Sequence, residues 1–228
     1  MLGLGIAGGF DPVHEALFNL EDDLLHDAAA VLIRDGVVLA GVEQERLDRI
    51  KHSNKVWSKA VTFCLESANV GLRDLDYIAL YSSESFTDVS LRMLHLYRRG
   101  LGKRRDARGM FQYLFEREFG VVLPREVFHF VHHHMAHAAT SYYMSGYEDS
   151  LILTIDGSGD NVSTMVVDAR NGVFTALMDK PVVESLGFFY LDVIRFLGYR
   201  IFDEYKVMGL APYGDASVLR ERFKAFYT

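Results

Sequence analysis

Apolar and polar positions along the chain follow an order of strand, hairpin and helix that occurs twice. The first occurrence begins with an apolar run at residues 2–10 and continues with two alternating segments joined by Asp35-Gly36, a hairpin turn signal. The second begins at residues 151–155 and continues with two segments joined by Asn171-Gly172. A segment with helical spacing follows each hairpin. The pattern predicts two structurally related α/β units.

The same spacing places the remaining elements. Strands are predicted at residues 2–10, 28–34, 37–42, 77–81, 127–131, 151–155, 162–168 and 173–178. Helices are predicted at residues 57–68, 91–97, 110–119, 133–145 and 185–197. Residues 11–27 read as an irregular insertion, and residues 156–160 as a glycine-rich turn. Strands of this kind, covered by helices, predict an α/β fold of the two-lobed actin, sugar-kinase and Hsp70 type, with mixed sheets. Residues 1–149 would form the first lobe, and residues 150–228 the start of an incomplete second lobe.

Composition narrows the class of protein. The chain has 228 residues and a net charge of −7, which argues against a nucleic-acid-binding protein. Its single cysteine, Cys64, excludes an internal disulfide, and no apolar run suits a membrane span or a signal peptide. A cytoplasmic protein with no nucleic-acid or membrane partner is expected. Residues 98–108 hold six basic side chains in eleven positions, which indicates either a solvated loop or a surface that recruits an anionic substrate or partner.

Histidines cluster in one short segment. Five of the nine lie between His129 and His137. On a helix His133 and His137 share one face, so both imidazoles can reach one cation at about 2.1 Å. His134 and His137 form an alternative pair, and core histidines bonded to the backbone are the competing interpretation. With Asp156 at the end of the next strand, the donor set suits iron, zinc or manganese.

Three further groups could carry chemistry. Glycines in the segment Gly157-Ser158-Gly159 would let the backbone approach a phosphate. Lys206, near the glycine-rich segment that contains Gly209, is a point charge suited to the same anion. His26 could act as a general base near neutral pH, or form a surface pair with Asp27.

Six motifs, in order, resemble those of the O-carbamoyltransferases of antibiotic and nodulation-factor biosynthesis, the tobramycin-type enzymes among them. They are His26-Asp27 with three alanines, Asp35-Gly36, the 43–52 segment, the histidines at 133–137, Asp156 to Gly159, and the 206–214 segment. The N-terminal domain of that family is similar to the tRNA threonylcarbamoyl-transferring enzymes. The resemblance implies that the carbamoyl group passes from carbamoyl adenylate to a hydroxyl of a sugar or another small acceptor.

The resemblance also implies residue roles. His133, His137 and Asp156 would be metal ligands, with iron as the expected metal, and His26 would be the catalytic histidine near the acceptor. Gly157, Ser158, Gly159, Lys206 and Gly209 would lie near the nucleotide. A separate C-terminal domain, expected to be absent from this chain, would make the adenylate from carbamoyl phosphate and ATP, so that domain or a second chain is the expected partner.

Departures from the family keep alternatives open. His14, within the 11–25 insertion, is a rival for the catalytic histidine, and Tyr205 stands where the family usually has glycine. A further second-lobe carboxylate ligand is not found. A non-catalytic metal-binding partner subunit, or a kinase or ATPase of the same fold, are the competing functions.

Overall fold

A computed structural model describes residues 1–9, 26–97 and 103–226 of the chain. Its first sheet opens with β1 (Leu2–Ala7), β2 (Ala29–Arg34) and β3 (Val37–Glu43), which pair antiparallel in the order of the chain. The turn between β2 and β3 places Asp35 and Gly36 at φ values of 50° and 82°, as an Asp-Gly hairpin requires. The predicted three-stranded opening is confirmed.

Two parallel strands complete this sheet. β4 (Tyr77–Leu80) pairs with β1, and β5 (Phe128–Phe130) pairs with β4, which gives the order β3-β2-β1-β4-β5. The sheet is therefore mixed, as expected. The carboxyl ends of β1, β4 and β5 point to the same edge, so the segments that follow them meet there.

Four helices accompany the first sheet: α1 (Gln44–Asp48), α2 (Ser58–Ser67), α3 (Glu84–Tyr97) and α4 (Ala107–Phe119). Their apolar side chains and those of the strands form one core, in which Trp57, Phe115 and Phe128 are fully buried. Helix α3 starts seven residues before the predicted residue 91, and α4 starts at Ala107 because the Asp106 carboxylate accepts from the Gly109 N–H and caps the helix.

The second sheet is antiparallel and has the order β6-β7-β8, from β6 (Asp149–Gly159), β7 (Val162–Arg170) and β8 (Val173–Pro181). Helix α5 (His133–Ser145) packs on β6 and β7, and its Ala138 and Tyr142 share a small core with Ile152 and Val167. Helix α6 (Leu186–Phe196) follows the hairpin, as predicted. The shorter helices α7 (Glu204–Leu210) and α8 (Arg220–Lys224) come last.

The prediction of a glycine-rich turn at residues 156–160 is wrong. Strand β6 continues through Gly159, with an irregular register after Ile155, and the chain turns instead at Asp160 and Asn161. Those two residues have φ values of 53° and 64°, a left-handed conformation that Asp and Asn tolerate better than most side chains. The glycines therefore serve close packing within the strand rather than the turn itself.

Candidate metal centre and the histidine pair beside it

Three predicted ligands converge in one place. The Nε2 atom of His133 lies 2.7 Å from Oδ2 of Asp156, and Nε2 of His137 lies 3.3 Å from the same oxygen. The two Nε2 atoms are 2.9 Å apart. One donor atom from each residue thus lies within 4.8 Å of the other two. The structure brings together the three side chains that the spacing predicted.

Local structure explains how the two histidines reach Asp156. His133 and His137 are one turn apart in the first half of α5, and α5 packs on β6, the strand that carries Asp156. A Cβ atom at Gly159 would lie 2.0 Å from Cδ2 of His133, so only glycine leaves room for that ring. The predicted glycine segment therefore has a structural role in seating the His133 ring.

Helix α6 fixes the backbone of Asp156 from the other side. The Ser185 hydroxyl donates to the Asp156 carbonyl at 3.1 Å and also accepts from the Phe188 N–H as the helix cap. A Cβ atom at Gly187 would approach the Gly157 nitrogen to 2.7 Å, so the first turn of α6 lies directly against this backbone. The carboxylate is held between two helices.

The electrostatics favour an ionised Asp156. Burial alone would raise the pKa of this carboxyl, but hydrogen bonds from His133, His137 and the Gly157 N–H outweigh it and hold the pKa far below its usual range. The carboxylate side chain is 36% exposed and the His137 side chain 54%, so the cluster faces solvent on one side.

The distances suit a divalent cation. Two atoms bound to one cation at about 2.1 Å lie about 3.0 Å apart at a right angle and about 3.4 Å apart at a tetrahedral angle. The three observed separations, 2.7, 2.9 and 3.3 Å, lie inside this range or within about 0.3 Å of it. Protons alone satisfy the set poorly, because two imidazoles that both donate from Nε2 to Asp156 bring their N–H groups against each other, with the nitrogens 2.9 Å apart. The donor set of two imidazoles and a carboxylate therefore fits a metal.

The neighbouring histidines do not join this cluster. His134 is fully buried; its Nδ1 contacts the Thr154 hydroxyl at 2.7 Å, and its Nε2 the Val162 carbonyl at 2.9 Å. Burial lowers its pKa. The alternative metal-binding pair of His134 and His137 is therefore wrong. His134 fits the competing interpretation of a core histidine bonded to the backbone. His129 is exposed and lies edge-on to Tyr77.

Sequence reasoning missed Asp160 as a connecting residue. Its carboxylate accepts from the His133 N–H at 2.9 Å, from the Ser83 N–H at 2.9 Å and from the Ser82 hydroxyl at 3.0 Å. It thereby ties the start of α5 to the segment that leads into α3. Only its place beside the glycine segment could have drawn attention to it.

Tyr81 lies between this cluster and a second one. Its ring is 5.6 Å from the His133 ring, and its hydroxyl bonds to the backbone of Gly8. Burial raises the pKa of Tyr81, and the charges of Asp160 and Asp27 act in the same direction. No motif in the sequence pointed to Tyr81.

The second cluster surrounds His26. Nδ1 of His26 lies 2.7 Å from one oxygen of Asp27, and Nδ1 of His52 lies 2.9 Å from the other. The Phe202 ring stacks on His52 with centroids 4.0 Å apart and meets His26 edge-on at 5.0 Å. Asp27, Glu45 and His52 also bring three donor atoms within 4.8 Å of one another. These atoms bond mainly to one another and to the His52 N–H, so the cluster reads as a hydrogen-bond network.

Other predicted residues lie elsewhere. Lys206, on α7, pairs with Asp203 at 2.5 Å, and Asp203 raises the lysine pKa. Gly209 lies on the same helix with open space at its Cβ position, while Ser158 is exposed. Tyr205 contacts the Lys51 ammonium at 5.4 Å from ring centroid to nitrogen. The rival histidine His14 and most of the 11–27 insertion lie outside the described residues.

The basic segment is described only from Lys103. The Arg105 guanidinium lies 3.9 Å from the centre of the Tyr113 ring. Arg108 binds Glu84 through two nitrogens, at 2.7 and 2.8 Å, and also donates to the carbonyl of Phe128. Arg108 therefore supports the fold. In the three described stretches of chain, no helix combines the length and apolarity needed to cross a membrane.

Comparison with known proteins identifies the family of the chain. The family model for the carbamoyltransferase N-terminus matches residues 20–228. The nodulation protein NolNO of Sinorhizobium fredii is 45% identical over 227 residues, which are 100% of this chain and 33% of that protein. NolO of Bradyrhizobium diazoefficiens is 50% identical over 97 residues, 42% of this chain and 18% of NolO.

A third relative is more distant. The uncharacterized protein sll1178 of Synechocystis is 30% identical over 205 residues, 83% of this chain and 33% of that protein. The chain thus spans a third or less of the length of each of these relatives. Because the family model covers nearly the whole chain, and the matched residues include His26, His133, His137 and Asp156, the chain belongs to the carbamoyltransferase N-terminus family.

Proposed function

We propose that this chain performs the carbamoyl-transfer step of an O-carbamoyltransferase. The donor is carbamoyl adenylate, and the acceptor is a hydroxyl of a sugar or another small natural product. The observation that carries the proposal is the convergence of His133, His137 and Asp156 on one point, in a chain whose family is named for carbamoyl transfer.

The chemistry requires few groups. The acceptor oxygen attacks the carbamoyl carbon and forms the new C–O bond, and the bond from that carbon to the phosphate oxygen breaks, so AMP leaves. The hydroxyl proton goes to the imidazole of His26, whose side chain is 43% exposed and therefore accessible to an acceptor. Holding donor and acceptor side by side supplies much of the rate.

His133, His137 and Asp156 would hold a divalent cation, iron in the first place, with zinc or manganese as alternatives. Such a cation, when bound, supplies a Lewis acid for the carbamoyl oxygen or the adenylate phosphate. Gly157, Ser158 and Gly159 directly follow the carboxylate ligand, so an adenylate at this centre would meet their backbone. Lys206 and Gly209, on α7, would contribute from the nucleotide side.

We propose that the chain has the two-lobed actin-like fold, with an incomplete second lobe. Support comes from the repeated hairpin and helix, and from the strand order β3-β2-β1-β4-β5 in the first sheet. Within residues 1–9, 26–97 and 103–226, β6 pairs only with β7, whereas the corresponding β1 is paired on both edges. A C-terminal domain or a second chain would supply the further strands and the adenylate.

Metal content tests the proposal most directly. The purified chain is loaded with Fe²⁺ or Zn²⁺, desalted and analysed beside His133→Ala/His137→Ala, with His129→Ala as the matched control because that exposed histidine lies outside the cluster. We expect about one equivalent in the wild type and the control, and none in the double variant. A wild type that stays metal-free after loading would rule out the proposed centre.

Transfer itself is measured with the C-terminal partner added. Carbamoyl phosphate and ATP are supplied, and simple hexosides serve as acceptors; carbamoylated hexoside is quantified by mass spectrometry. If the chain is instead a non-catalytic metal-binding subunit, His26→Ala should bind the metal and leave the rate of transfer unchanged. The proposal predicts that His26→Ala retains the metal and loses transfer.

A further inference from the structure

The feature that carries a further inference is the arrangement around Asp27. A carboxylate can only accept hydrogen bonds, and each of its two oxygens here faces the Nδ1 atom of a different imidazole. Burial alone would raise the pKa of Asp27, but the bonds from His52 and His26 outweigh it and lower the pKa, so the group is ionised. Both Nδ1 atoms must therefore carry the proton. In a neutral His26 the Nε2 atom is then the free base.

The two histidines are not equivalent. The His26 side chain is 43% exposed, and that of His52 is 29% exposed. Nε2 of His52 is buried and has no hydrogen-bond partner among the described residues. An acceptor hydroxyl can reach His26 but not the corresponding atom of His52. His52 is thus suited to support, and His26 to chemistry.

Backbone strain is concentrated at the same point. Asp27, His52 and Phe202 have φ values of 51°, 54° and 69°, in the left-handed region that non-glycine residues rarely adopt. For a bulky aromatic such as Phe202 this conformation is a genuine outlier. The His52 side chain contacts both of the others, although residues 27 and 202 are far apart in sequence. Backbone strain of this kind is typical of functional sites, where it holds a side chain in a fixed orientation.

Further contacts hold the strained backbone in place. The Glu45 carboxylate accepts from the His52 N–H at 2.8 Å, and the Ala28 N–H donates to the Ser53 carbonyl at 2.9 Å. Phe202 stacks on the His52 ring and makes a T-shaped contact with the His26 ring. The neighbours of Asp27 therefore leave its carboxylate little freedom to turn away.

We propose that Asp27 is the positioning residue of His26. It fixes the His26 ring in the Nδ1–H form so that Nε2 faces the acceptor, and His52 and Phe202 hold the carboxylate in that position. The inference rests on the proposed function, in which His26 takes the acceptor proton. It adds three residues, from two distant parts of the chain, to that step.

The decisive measurement is the tautomer of each histidine. Long-range ¹H–¹⁵N spectra of the full chain at about pH 8, above the usual histidine pKa, distinguish protonated from unprotonated ring nitrogens. The wild type should show His26 and His52 both protonated on Nδ1. In Asp27→Asn the amide offers one acceptor and one donor, so one of the two rings should switch to the Nε2–H form.

Asp27→Asn suits this test because Asn tolerates the left-handed conformation of residue 27. Asp35→Asn is the matched control, since Asp35 has a φ of 50° in the β2–β3 turn, and it should leave both histidines unchanged. A wild-type His26 protonated on Nε2, or an Asp27→Asn spectrum in which neither ring switches, would overturn the proposal.

Kinetic measurements test the positioning role of Asp27 separately from the proposed carbamoyl transfer. Replacing the carboxylate that orients a general-base histidine by its amide costs on the order of 10²–10⁴-fold in kcat in comparable dyads. Asp27→Asn should lose kcat by such a factor with a near-normal KM for the acceptor, and should add nothing to His26→Ala. Normal kcat in Asp27→Asn would overturn positioning alone, whereas absence of transfer in the wild type would overturn the proposed function and leave the tautomer result standing.

Discussion

Gly159→Ala should damage the candidate metal centre although residue 159 contributes no donor atom to it. The new Cβ would lie 2.0 Å from Cδ2 and 2.2 Å from Cγ of His133, whereas ordinary contacts begin at 3.4 Å. The imidazole must therefore move by about 1.4 Å, the difference between 3.4 and 2.0 Å. Metal ligands tolerate displacements of only about 0.2 Å. His133 would no longer share a cation with His137 and Asp156.

Two energies follow from this displacement. Overpacking of a well-filled site costs about 1–3 kcal/mol, which should appear as a lower free energy of unfolding in the metal-free protein. A misplaced ligand should weaken metal binding by about 100-fold, which equals about 2.7 kcal/mol. With Zn²⁺ at about 100 times the wild-type Kd, the metal would stabilise the wild type by about 2.7 kcal/mol and the variant by only about 0.4 kcal/mol.

Urea unfolding with and without Zn²⁺ measures both energies. Gly71→Ala is the matched control, because Gly71 has an extended backbone with φ −104° and its Cβ would meet only Asp74, at 3.5 Å. The control should unfold like the wild type under both conditions. If Gly159→Ala were stabilised by Zn²⁺ as much as the wild type, the ring would have moved without cost, and the packing argument would be refuted.

Three shorter predictions concern the surroundings. His134→Ala should lower the free energy of unfolding of the metal-free protein by about 2–4 kcal/mol, because it removes a buried ring with two hydrogen bonds. His137→Ala, at an exposed position, should lower it by less than about 1 kcal/mol. Equal urea midpoints for the two variants would contradict this prediction. Asp160→Ala should cost about 2 kcal/mol or more by leaving the N–H groups of His133 and Ser83 without their acceptor, and Asp160→Asn should cost less, as thermal unfolding would show. A hydrogen bond from Arg125 lowers the pKa of Asp106, so this carboxylate stabilises the fold fully above about pH 4, and the stabilisation is lost as the pH falls through the folded-state pKa. Asp106→Asn should therefore lose less stability than the wild type between pH 7 and about pH 3. Urea midpoints that fall in parallel for the two proteins over that range would contradict this prediction.

Local chemistry made several features predictable. Asp35-Gly36 and Asn171-Gly172 both adopt positive φ values at both positions, which is why the residue types alone identify the hairpins. His133 and His137 depend on helical periodicity, and Asp156 on its place in the next strand. These signals act over a few residues, so the sequence predicts them without knowledge of packing.

Features set by contacts between distant segments were not predictable in this way. Burial of His134 depends on Thr154 and Val162, which belong to the two strands against which α5 packs. The stacking of Phe202 on His52 joins residues 150 positions apart, and the left-handed backbone of Phe202 runs against its own preference. The misplaced turn at residues 156–160 has a similar origin, because glycine near a turn signals close packing as readily as it signals the turn itself.

The candidate metal centre and the His26 cluster differ in how the chain must come together to form them. His133 and Asp156 are separated by 23 residues, and the elements that carry them, α5 and β6, are consecutive. Closing so short a loop costs little entropy, so the three ligands should meet early in folding. The Phe202 contact needs nearly the whole chain to be in place. The candidate metal centre should therefore assemble first. The His26 cluster should assemble last, and it should open first when the protein is destabilised.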